Sequence, residues 1–409
     1  MKVALVCDWL TNVGGAEKVL LELHHLYPKA PIFTSKYNKK GIDWFDKAEV
    51  RTGWLQVFPT CLRRVLGPLR QWYFSHLDLS EYDLIISVTG AEAKSVKSGK
   101  WLHEKGKKNV KNPKGIHISY CHVPTQYYWQ MYDTYVENPG FGVLNPVVRF
   151  FFRLLVKPLK RADYKAAQRP DYYVTISDYA KTQIKKYYAR EAIVIHPPVE
   201  TEVFKQGNNK FVKSQVGVDD EGNNIFQKSQ EGGFAQVVEN FDITKTYITT
   251  SRQVNWKRLD IAIRGCIKAK RSLLVIGEGP LHNDLVKLAG DSDYVKFLPL
   301  MSKDELSFYL GQARGFIFPS LEPFGIAPVE ALSAGCPVIA YGEGGALDYV
   351  VDGKNGVLFK KQTASSLADA ISRFEKMKFN RKKVAESADI FAMERFDQEI
   401  KAFVNEKVE

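Results

Sequence analysis

Short apolar runs separated by longer mixed segments dominate the first half of the sequence. The run Val3–Cys7 ends at Asp8 and precedes Gly14-Gly15 and an amphipathic segment, which is typical of a buried parallel strand, a glycine loop and a helix. Similar runs recur at Leu84–Val88, Ile116–Cys121, Tyr172–Ile176 and Ala192–Ile195. The intervals between the runs are long enough for crossover helices, so the pattern predicts an α/β fold with a parallel sheet.

The same pattern returns in the second half after an interruption. His196-Pro197-Pro198 ends the first series, and a polar stretch at about 205–245 has the glycines of an inserted hairpin or loop. Five more apolar runs are Thr246–Thr250, Ser272–Ile276, Tyr294–Phe297, Gly315–Phe318 and Pro337–Ala340. Because 409 residues exceed what one core usually serves, we predict two α/β domains, 1–198 and 199–385. A C-terminal helix over 386–409 is expected to pack back toward the first domain.

The net charge of +12 is confined to the first half. Residues 1–198 hold 30 Lys and Arg against 17 Asp and Glu, whereas the remaining residues hold 28 against 29. One interpretation is an anionic partner for the first domain, such as an anionic membrane surface, a phosphorylated lipid or a nucleic acid. The alternative is a basic surface that serves only solubility.

Cysteine usage and hydropathy predict a compartment. The five cysteines are widely spaced and form no Cys-x-x-Cys pair, which argues against a disulfide framework or a zinc site and fits a reducing cytosol. The apolar run before Asp8 is too short for a signal-peptide core, and no uninterrupted apolar run has the length that spans a bilayer. We expect a cytoplasmic protein that contacts the inner face of the membrane peripherally.

Two carboxylates eight residues apart lie just before and within a helix of the second half that glycine opens. Glu322 follows the run that ends at Phe318, and Glu330 lies within a helix predicted from about Gly325 to Ala334. The first amides of such a helix suit a phosphate, and a nearby carboxylate can accept hydrogen bonds from sugar hydroxyls. Glu330 is a candidate for binding a ribose diol. Two glutamates near one helix are, however, also common in proteins without such a site.

Basic residues and a glycine turn follow two other runs. Arg252 and Lys257 come directly after Thr246–Thr250, where cations can reach a diphosphate in the crevice of a parallel sheet. A solvated charged turn is the alternative. Gly277 opens a turn after Ser272–Ile276, which alone is weak evidence of a binding site.

His122 ends a predicted strand of the first domain and is followed by Tyr127-Tyr128-Trp129. A histidine at that place can hydrogen-bond a sugar hydroxyl or share a proton, although a satisfied structural histidine is the alternative. The aromatic run favours a carbohydrate or lipid neighbourhood, or else a place in the core. His122 is therefore a candidate sugar-binding residue only if other site residues lie near it.

Two basic and apolar segments of the first domain suit a lipid surface. The first repeats a cation every fourth residue at Arg149, Arg153, Lys157, Arg161, Lys165 and Arg169, and Pro158 is expected to break or kink its helix. The second combines Arg63, Arg64 and Arg70 with Leu62, Leu66, Leu69, Trp72, Tyr73 and Phe74. Both are typical of interfacial segments on anionic lipid. A buried helix with cations that extend to the surface is the alternative.

Together these motifs resemble those of family 4 glycosyltransferases, whose GT-B fold has two Rossmann-like domains facing each other across a cleft. The chain is most similar to bacterial mannosyltransferases of O-antigen or exopolysaccharide assembly. The resemblance covers nearly the full length and is carried by five motifs in the family's order. They are Gly14–Glu17, Cys121–Pro124, Ser251-Arg252 with Lys257, Gly277–Pro280, and Glu322–Gly325 through Glu330.

The resemblance implies a retaining hexosyltransferase that needs no metal ion. Arg252 and Lys257 would neutralise the donor diphosphate, while Glu322 and the Phe324 and Gly325 amides would hold the transferred sugar. The remaining implied roles are ribose binding by Glu330, base contact near Leu300 and Met301, sugar contact by His122, and close approach of diphosphate or acceptor at Gly14-Gly15. GDP-mannose would be the donor and a polyprenyl-diphosphate-linked saccharide the acceptor.

Several alternatives remain open at this point. Asp291-Ser292-Asp293 imitates a metal-binding motif of another transferase fold, but its polar setting before a strand indicates a turn. A sugar-nucleotide epimerase with the same fold would share the donor crevice but lack an acceptor. A nucleic-acid-binding protein fits the charge, although no recognition motif accompanies the basic residues, so we expect no nucleic-acid partner. A catalytically silent scaffold is the remaining alternative.

Overall fold

The computed structural model describes residues 1–60, 62, 66–137, 142, 145–205, 216–218, 224–226 and 242–408. The chain divides into two compact units. Unit 1 comprises Met1–Pro198 and Phe396–Glu409, and unit 2 comprises Val199–Arg395. Most of the predicted insertion at 205–245 lies outside the described residues. Within it, the backbone forms an antiparallel pair of strands, Val216–Val218 and Asn224–Phe226.

Unit 1 is built on a parallel sheet with the order β3-β2-β1-β4-β5-β6-β7. Its strands are β1 (Val3–Cys7), β2 (Ile32–Thr34), β3 (Val50–Thr52), β4 (Leu84–Thr89), β5 (Ile116–Cys121), β6 (Tyr172–Thr175) and β7 (Ile193–Val194). The apolar runs predicted β1 and β4–β7 to within about two residues. The two short strands β2 and β3 were missed because three residues make too brief a pattern.

The helices of unit 1 connect these strands. They are α1 (Gly15–Leu26), α2 (Gly67–His76), α3 (Gly99–Glu104), α4 (Tyr132–Glu137), α5 (Asn145–Ala166) and α6 (Asp178–Tyr188). Of the break or kink expected at Pro158, the break does not occur, because α5 is continuous around this residue. Contacts on both sides of Pro158 hold the helix: Phe152 packs on Tyr132, and Asp163 accepts a hydrogen bond from the Trp129 indole.

Unit 2 has a second parallel sheet, with the order β12-β11-β10-β13-β14-β15. The antiparallel pair described above is numbered β8 (Val216–Val218) and β9 (Asn224–Phe226). The strands of the unit 2 sheet are β10 (Tyr247–Thr250), β11 (Leu273–Ile276), β12 (Val295–Leu298), β13 (Gly315–Phe318), β14 (Val338–Tyr341) and β15 (Gly356–Phe359). Only β15 was missed by the apolar runs. Side chains from the strands, including Val275, Ile317 and Val357, form one buried core with Ile263, Leu367 and Phe374 of the helices.

The helices of unit 2 alternate with the strands, and the chain then returns to unit 1. They are α7 (Leu259–Ala269), α8 (His282–Ala289), α9 (Lys303–Gln312), α10 (Ile326–Ser333), α11 (Ala346–Tyr349), α12 (Ala364–Glu375) and α13 (Arg381–Glu386). The last helix, α14 (Met393–Val408), begins later than the predicted 386 because a short 3-10 turn precedes it. Its Phe396 and Phe403 pack on Tyr120 and Tyr172 of unit 1.

Each sheet has a point where its strand order changes direction. In unit 1 the chain proceeds from β1 to one side and from β4 to the other, and in unit 2 the change lies between β10 and β13. The loops after neighbouring strands diverge at such a point and leave a crevice at the carboxyl edge of the sheet, where ligands of open α/β folds bind. The crevices of both units are therefore the places to look for chemistry.

Candidate functional site

The crevice of unit 2 contains an ion pair between residues that follow different strands. Lys257, after β10, places its Nζ 2.7 Å from Oε1 and 2.8 Å from Oε2 of Glu322, after β13. Ser320 donates a hydrogen bond of 2.7 Å from its hydroxyl to Glu322 Oε1. Both charged side chains are about one-fifth exposed, at 22% and 17%. The fold thus brings together two predicted site residues that are 65 positions apart.

The geometry leaves hydrogen-bonding capacity at this pair. An ammonium group has three N–H donors, and a carboxylate has about four acceptor positions. Lys257 directs its contacts to the two oxygens of one carboxylate, and Glu322 accepts from Lys257 and Ser320. An incoming polar ligand can therefore add contacts to the pair without first removing those that exist.

Arg252 supplies a second cation close in sequence to Lys257. Its side chain is exposed, and the described part of the protein offers it no ion-pair partner. A guanidinium group can bind two phosphate oxygens at once. Arg252 is therefore available to an anion, whereas Lys257 already has a carboxylate beside it.

The helix that was predicted to follow Glu322 and to contain Glu330 forms nearly as expected. It is α10, which begins directly after Gly325 and carries Glu330 in its second turn, partly buried. Gly325 has a φ of 97°, and a Cβ there would lie 2.7 Å from the Phe318 ring, so only glycine suits this position. Gly335, with a φ of 76°, follows the C-terminal end of the helix as predicted.

Gly277 is required by loop packing as well as by any ligand. A Cβ at Gly277 would lie 2.5 Å from the Ser251 carbonyl oxygen, so the loop after β11 rests against the loop after β10. Gln253 fastens the two loops: its side-chain amide donates to the Gly277 carbonyl at 2.6 Å, and its Oε1 lies 2.9 Å from Nδ1 of His282. Gln253 was not predicted as a site residue, because no local sequence pattern marks it.

A second glycine loop, also missed, supports Glu322 from β14. The Gly345 amide donates to the Glu322 carbonyl at 2.8 Å, and a Cβ at Gly344 would lie 2.5 Å from the same oxygen. The Tyr349 hydroxyl donates to the Phe324 carbonyl at 2.9 Å. The doublet Gly344-Gly345 after an apolar run was the available signal, of the same kind as Gly14-Gly15.

The residues predicted near the base and the sugar differ in exposure. Phe324 is buried and packs edge-on against Tyr349 and Phe391, so its side chain belongs to the core and only its backbone is available to a ligand. Met301 is buried, whereas Leu300 is exposed. Trp256, adjacent to Lys257, is also exposed and was not singled out from the sequence.

The crevice of unit 1 is lined by a buried carboxylate and by His122. Asp8, after β1, accepts hydrogen bonds from the Thr89 hydroxyl and from the Gly90 and Ala93 amides at 2.7–3.0 Å. His122 follows β5, and its amide donates to the Thr89 carbonyl at 2.9 Å. The Nε2 atom of His122 is buried, without a hydrogen-bond partner among the described residues. Burial lowers the pKa of His122 to about 4, so the ring is neutral at neutral pH.

Gly14 and Gly15 lie at the same edge of the unit 1 sheet. Gly14 precedes α1 in an extended conformation, and Gly15 is its first residue. A Cβ at Gly14 would meet only the carboxylate of Glu17, at 2.8 Å. The Glu17 carboxylate is the end of a flexible side chain, so packing alone does not require glycine at position 14.

The structure corrects part of the predicted basic stripe. Arg153, Lys157 and Arg161 are exposed on α5, together with Lys165. Arg149 instead donates to the carbonyls of Val136 and Glu137, at 2.9 and 2.7 Å. Arg169 lies beyond the end of α5 and turns inward, where it donates to the carbonyls of Ser75 and Ser95. The exposed cationic stripe therefore runs only from Arg153 to Lys165, and not from Arg149 to Arg169 as the sequence pattern predicted.

The second predicted basic patch also changes character. Arg70 is buried and forms an ion pair with the fully buried Glu92, so it is not available to a lipid phosphate. Arg63 and Arg64 lie outside the described residues. Phe74 is buried as well. Among the described residues, the exposed large apolar side chains of this segment are Trp54, Val57, Leu62, Leu69 and Trp72.

The exposed face of α5 is strongly apolar. Five large side chains there are between 44% and 64% exposed: Val147, Phe150, Phe151, Leu154 and Leu155. We call these residues, with Arg153, Lys157 and Arg161, the α5 face. Within the described ranges, no helix combines the length and the apolar character needed to cross a bilayer.

Candidate metal ligands among the described residues include the Asp-Ser-Asp motif at 291–293. Asp291-Ser292-Asp293 forms the expected turn before β12, with the Tyr294 amide donating to the Ser292 hydroxyl at 3.3 Å. In the part of the chain that the structure describes, no group of three or more His, Cys, Asp or Glu side chains is arranged to hold a metal ion.

Comparison with known proteins decides what unit 2 is. Residues 235–390 match the family model of glycosyl transferases group 1. This match falls within unit 2 and includes all the crevice residues described above. Unit 2 contains a group 1 glycosyltransferase domain.

Curated relatives and solved structures extend the likeness. A D-inositol 3-phosphate glycosyltransferase from Nocardiopsis dassonvillei is 26% identical over 52% of this chain and 49% of its own. A GDP-mannose-dependent alpha-(1-6)-phosphatidylinositol monomannoside mannosyltransferase from Mycobacterium tuberculosis is 32% identical over 31% of this chain and 37% of its own. The chain thus spans about half or less of the length of these curated relatives.

The fold likeness covers both units. HepE from Anabaena, solved in complex with UDP, matches 99% of this chain and 100% of its own with a TM-score of 0.64 at 18% identity. A catalytic domain of starch synthase IV from Arabidopsis thaliana matches all of this chain and 99% of its own, with a TM-score of 0.62 at 14% identity. The predicted GT-B class, α/β with two Rossmann-like domains, is confirmed.

In the glycosyltransferase domain, Arg258 links Lys257 to helix α7 in a left-handed conformation, with φ 51° and ψ 38°. Glycine adopts this conformation freely, whereas a β-branched residue is strained there. We predict that Arg258→Val lowers the free energy of unfolding by about 1–2 kcal/mol, while Arg258→Gly changes it by less than about 1 kcal/mol. Chemical denaturation measures both.

Arg264, exposed in the middle of α7, is the matched control. In an ordinary helical position glycine is the worse replacement, so Arg264→Gly should be less stable than Arg264→Val by about 0.5 kcal/mol. The same order of Gly and Val at both positions would contradict the conformational explanation.

The pKa of His122 predicts a pH dependence of stability. The unfolded chain takes up this proton near pH 6.5 and the folded chain only near pH 4, so protonation favours unfolding and the free energy of unfolding falls as pH falls through that window. His122→Gln removes the effect and should show a shallower decline. Urea unfolding of both proteins between pH 7 and pH 4 measures it, and parallel declines would refute the assignment.

Proposed function

We propose that the protein is a retaining glycosyltransferase that moves a hexose from a nucleotide sugar to a lipid-linked saccharide. The observation that carries this proposal is the Lys257–Glu322–Ser320 cluster at the unit 2 crevice, with the exposed Arg252 in the same loop after β10. Cations there suit a diphosphate, and a carboxylate suits sugar hydroxyls. The family match of residues 235–390 supports the same reading.

In the proposed donor complex, the diphosphate lies at Arg252 and Lys257. Lys257 is then shared between the phosphate and Glu322, which holds the transferred sugar through its remaining acceptor positions. The amides at the start of α10, after Gly325, add donors on the same side, and Glu330 binds the ribose. Because Lys257 and Glu322 are bonded to each other before the reaction, Lys257 stabilises charge that develops on the leaving diphosphate with little reorganisation.

Retention of configuration is proposed to arise by attack of the acceptor on the face from which the diphosphate leaves. The leaving phosphate oxygen takes the proton of the acceptor hydroxyl as the new C–O bond forms, and the departing negative charge stays with Arg252 and Lys257. His122 contacts the sugar in this proposal, and Gly14-Gly15 admits the diphosphate or acceptor. No metal ion is required for these steps.

The donor is proposed to be GDP-mannose. The mannosyltransferase from Mycobacterium tuberculosis is named for that donor and is 32% identical over 143 residues that span 31% of this chain. HepE, which shares the fold, has been solved with UDP-glucose, so the nucleotide is the first property to test.

The acceptor is proposed to be a polyprenyl-diphosphate-linked saccharide of surface-polysaccharide assembly, reached at the inner face of the cytoplasmic membrane. The α5 face supports this part of the proposal because it combines exposed apolar side chains with cations. Such a face binds anionic lipid through both buried apolar area and charge.

Donor binding predicts a thermal shift that depends on the crevice. A ligand that binds only the folded state raises the melting temperature, and at equal concentration a tighter ligand raises it more. We expect GDP-mannose to raise it more than UDP-glucose, and Lys257→Met or Arg252→Ala to remove at least half of the rise. Differential scanning fluorimetry measures the shift, and turnover of radiolabelled donor separates transfer from epimerisation by its products.

Lys268→Met is the matched control for Lys257→Met. Lys268 lies in the last turn of α7, toward the opposite edge of the sheet, and its ammonium donates to the Ser365 hydroxyl at 2.8 Å. It should keep the full donor response. A donor response that survives Lys257→Met and Arg252→Ala would refute the proposed site.

Lipid binding predicts a loss when the α5 face is made polar. The variant Phe150→Ser/Leu154→Ser/Lys157→Gln should float with vesicles of 30% phosphatidylglycerol at least about tenfold less than the wild type, because apolar area and charge both contribute. The control Lys181→Gln/Lys185→Gln removes two cations from α6 of the same unit. Equal flotation of both variants would contradict the proposed contact.

A further inference from the structure

The turn that follows β4 is a buried charged junction in unit 1. Two of its residues, Glu92 and Lys94, are at most 1% exposed, and each forms an ion pair with a different helix. Glu92 accepts from Arg70 of α2 at 3.0 and 3.2 Å. Lys94 Nζ lies 2.7 Å from Oδ1 of Asp163 in α5. The turn therefore fixes two helices to the crevice of the sheet.

Asp163 is the centre of the second pair. Its carboxylate is fully buried and accepts hydrogen bonds from four side chains at 2.7–2.9 Å: Lys94, Thr125, Trp129 and Tyr188. These donors come from the turn after β4, from the segment after β5 and from α6. One carboxylate on α5 thus joins three other parts of unit 1.

This network brackets the segment that carries His122. At its first residue, the His122 amide donates to the Thr89 carbonyl, at the start of the charged turn. At its other end, the Thr125 hydroxyl donates to Asp163 at 2.8 Å and lies 3.1 Å from Lys94 Nζ, while the Thr125 amide donates to the Tyr188 hydroxyl at 3.0 Å. The four residues 122–125 are held at both ends by the same turn and its ion pair.

Stability alone is a poor explanation for a pair this deeply buried. Removing two charges from water is costly, and apolar side chains of similar volume often stabilise a core as well or better. A fully bonded polar network does, however, fix the relative positions of the segments it joins. The segment it fixes here carries a histidine with an unpaired, buried ring nitrogen.

We propose that Asp163 and Lys94 are positioning residues for His122, and that helix α5 sets the orientation of the His122 ring through them. This inference rests on the proposed function, because it gives His122 a part in sugar transfer. It also places on one helix the exposed α5 face and the carboxylate that orients the site. Displacement of α5 is thereby coupled to displacement of His122.

The test compares three variants of the full chain. Lys94→Met/Asp163→Leu replaces the pair by apolar side chains and leaves no buried charge. The Thr125, Trp129 and Tyr188 donors lose their acceptor, which destabilises the core, so circular dichroism first verifies that the variant folds. Asp163→Asn, which keeps an acceptor oxygen, carries the same readouts if it does not. Asp163→Asn keeps the shape but leaves Lys94 without its counter-charge. Asp171→Asn is the control: it makes the same chemical change in unit 1, at a carboxylate before β6 that bonds the His117 amide and pairs with Lys100 at 3.2 Å.

The first readout is NMR of the histidine rings and needs no substrate. In the wild type the pKa of His122 is about 4 because the ring is buried. The double variant should raise it toward 6.5, because a loosened segment lets water reach the ring. Both pair variants should shift the His122 ring resonances, while Asp171→Asn should leave the pKa and the resonances unchanged. Unchanged His122 resonances in the folded double variant, or an equal shift in Asp171→Asn, would overturn the inference.

The second readout is turnover of GDP-mannose and of UDP-glucose, measured as nucleoside diphosphate released. The double variant should lower kcat about tenfold or more, since misplacement of a site group by about 1 Å can cost a hundredfold, and should leave the donor KM within about twofold. A kcat that is unchanged while His122 moves would overturn its part in transfer. A rise in KM with kcat unchanged would show loss of donor binding, which also contradicts positioning through His122.

Discussion

A partly buried contact between the Lys257 ammonium and the Glu322 carboxylate joins the two strands between which the unit 2 sheet changes direction. Its position follows from topology, because the loops after β10 and β13 diverge there and leave room for charged side chains to converge. The pair itself contributes only about 1 kcal/mol to folding. Its importance is that it prepares a cation and a carboxylate at one place, with Ser320 fixing the carboxylate orientation.

Contacts between the surrounding loops fix the positions of Lys257 and Glu322. Gln253 clamps the loops after β10 and β11, and the glycines at 344 and 345 let the loop after β14 pack on the Glu322 backbone. In unit 1, buried charged side chains hold the loops at the edge of the sheet. Each of them bonds several donors or acceptors, and they are Asp8, Glu92, Lys94 and Asp163. In both units the carboxyl edge is held by contacts between loops of different strands.

Sequence patterns predict much of this fold and less of the site. Continuous apolar runs identify buried parallel strands because both faces are covered, but β3, with Arg51 at its centre, has no such run. Arg70 and Arg169 were expected at the surface since charge usually stays in water. Their partners, Glu92 and the Ser95 carbonyl, lie 22 and 74 positions away, and a pattern along one helix cannot show them. Gln253 is hidden for the same reason, whereas Glu322 and Lys257 follow strands that the pattern does identify.

We propose that the unit 2 crevice holds a nucleotide sugar through Arg252, Lys257 and Glu322. The most direct measurement is a crystal structure of the protein with GDP-mannose, or with UDP-glucose if that donor binds more tightly. We expect diphosphate oxygens within hydrogen-bonding distance of Arg252 and Lys257, and sugar hydroxyls at the Glu322 carboxylate, with the Lys257–Glu322 contact retained. A nucleotide sugar bound elsewhere in the molecule, with the Lys257–Glu322 pair untouched by ligand, would contradict it.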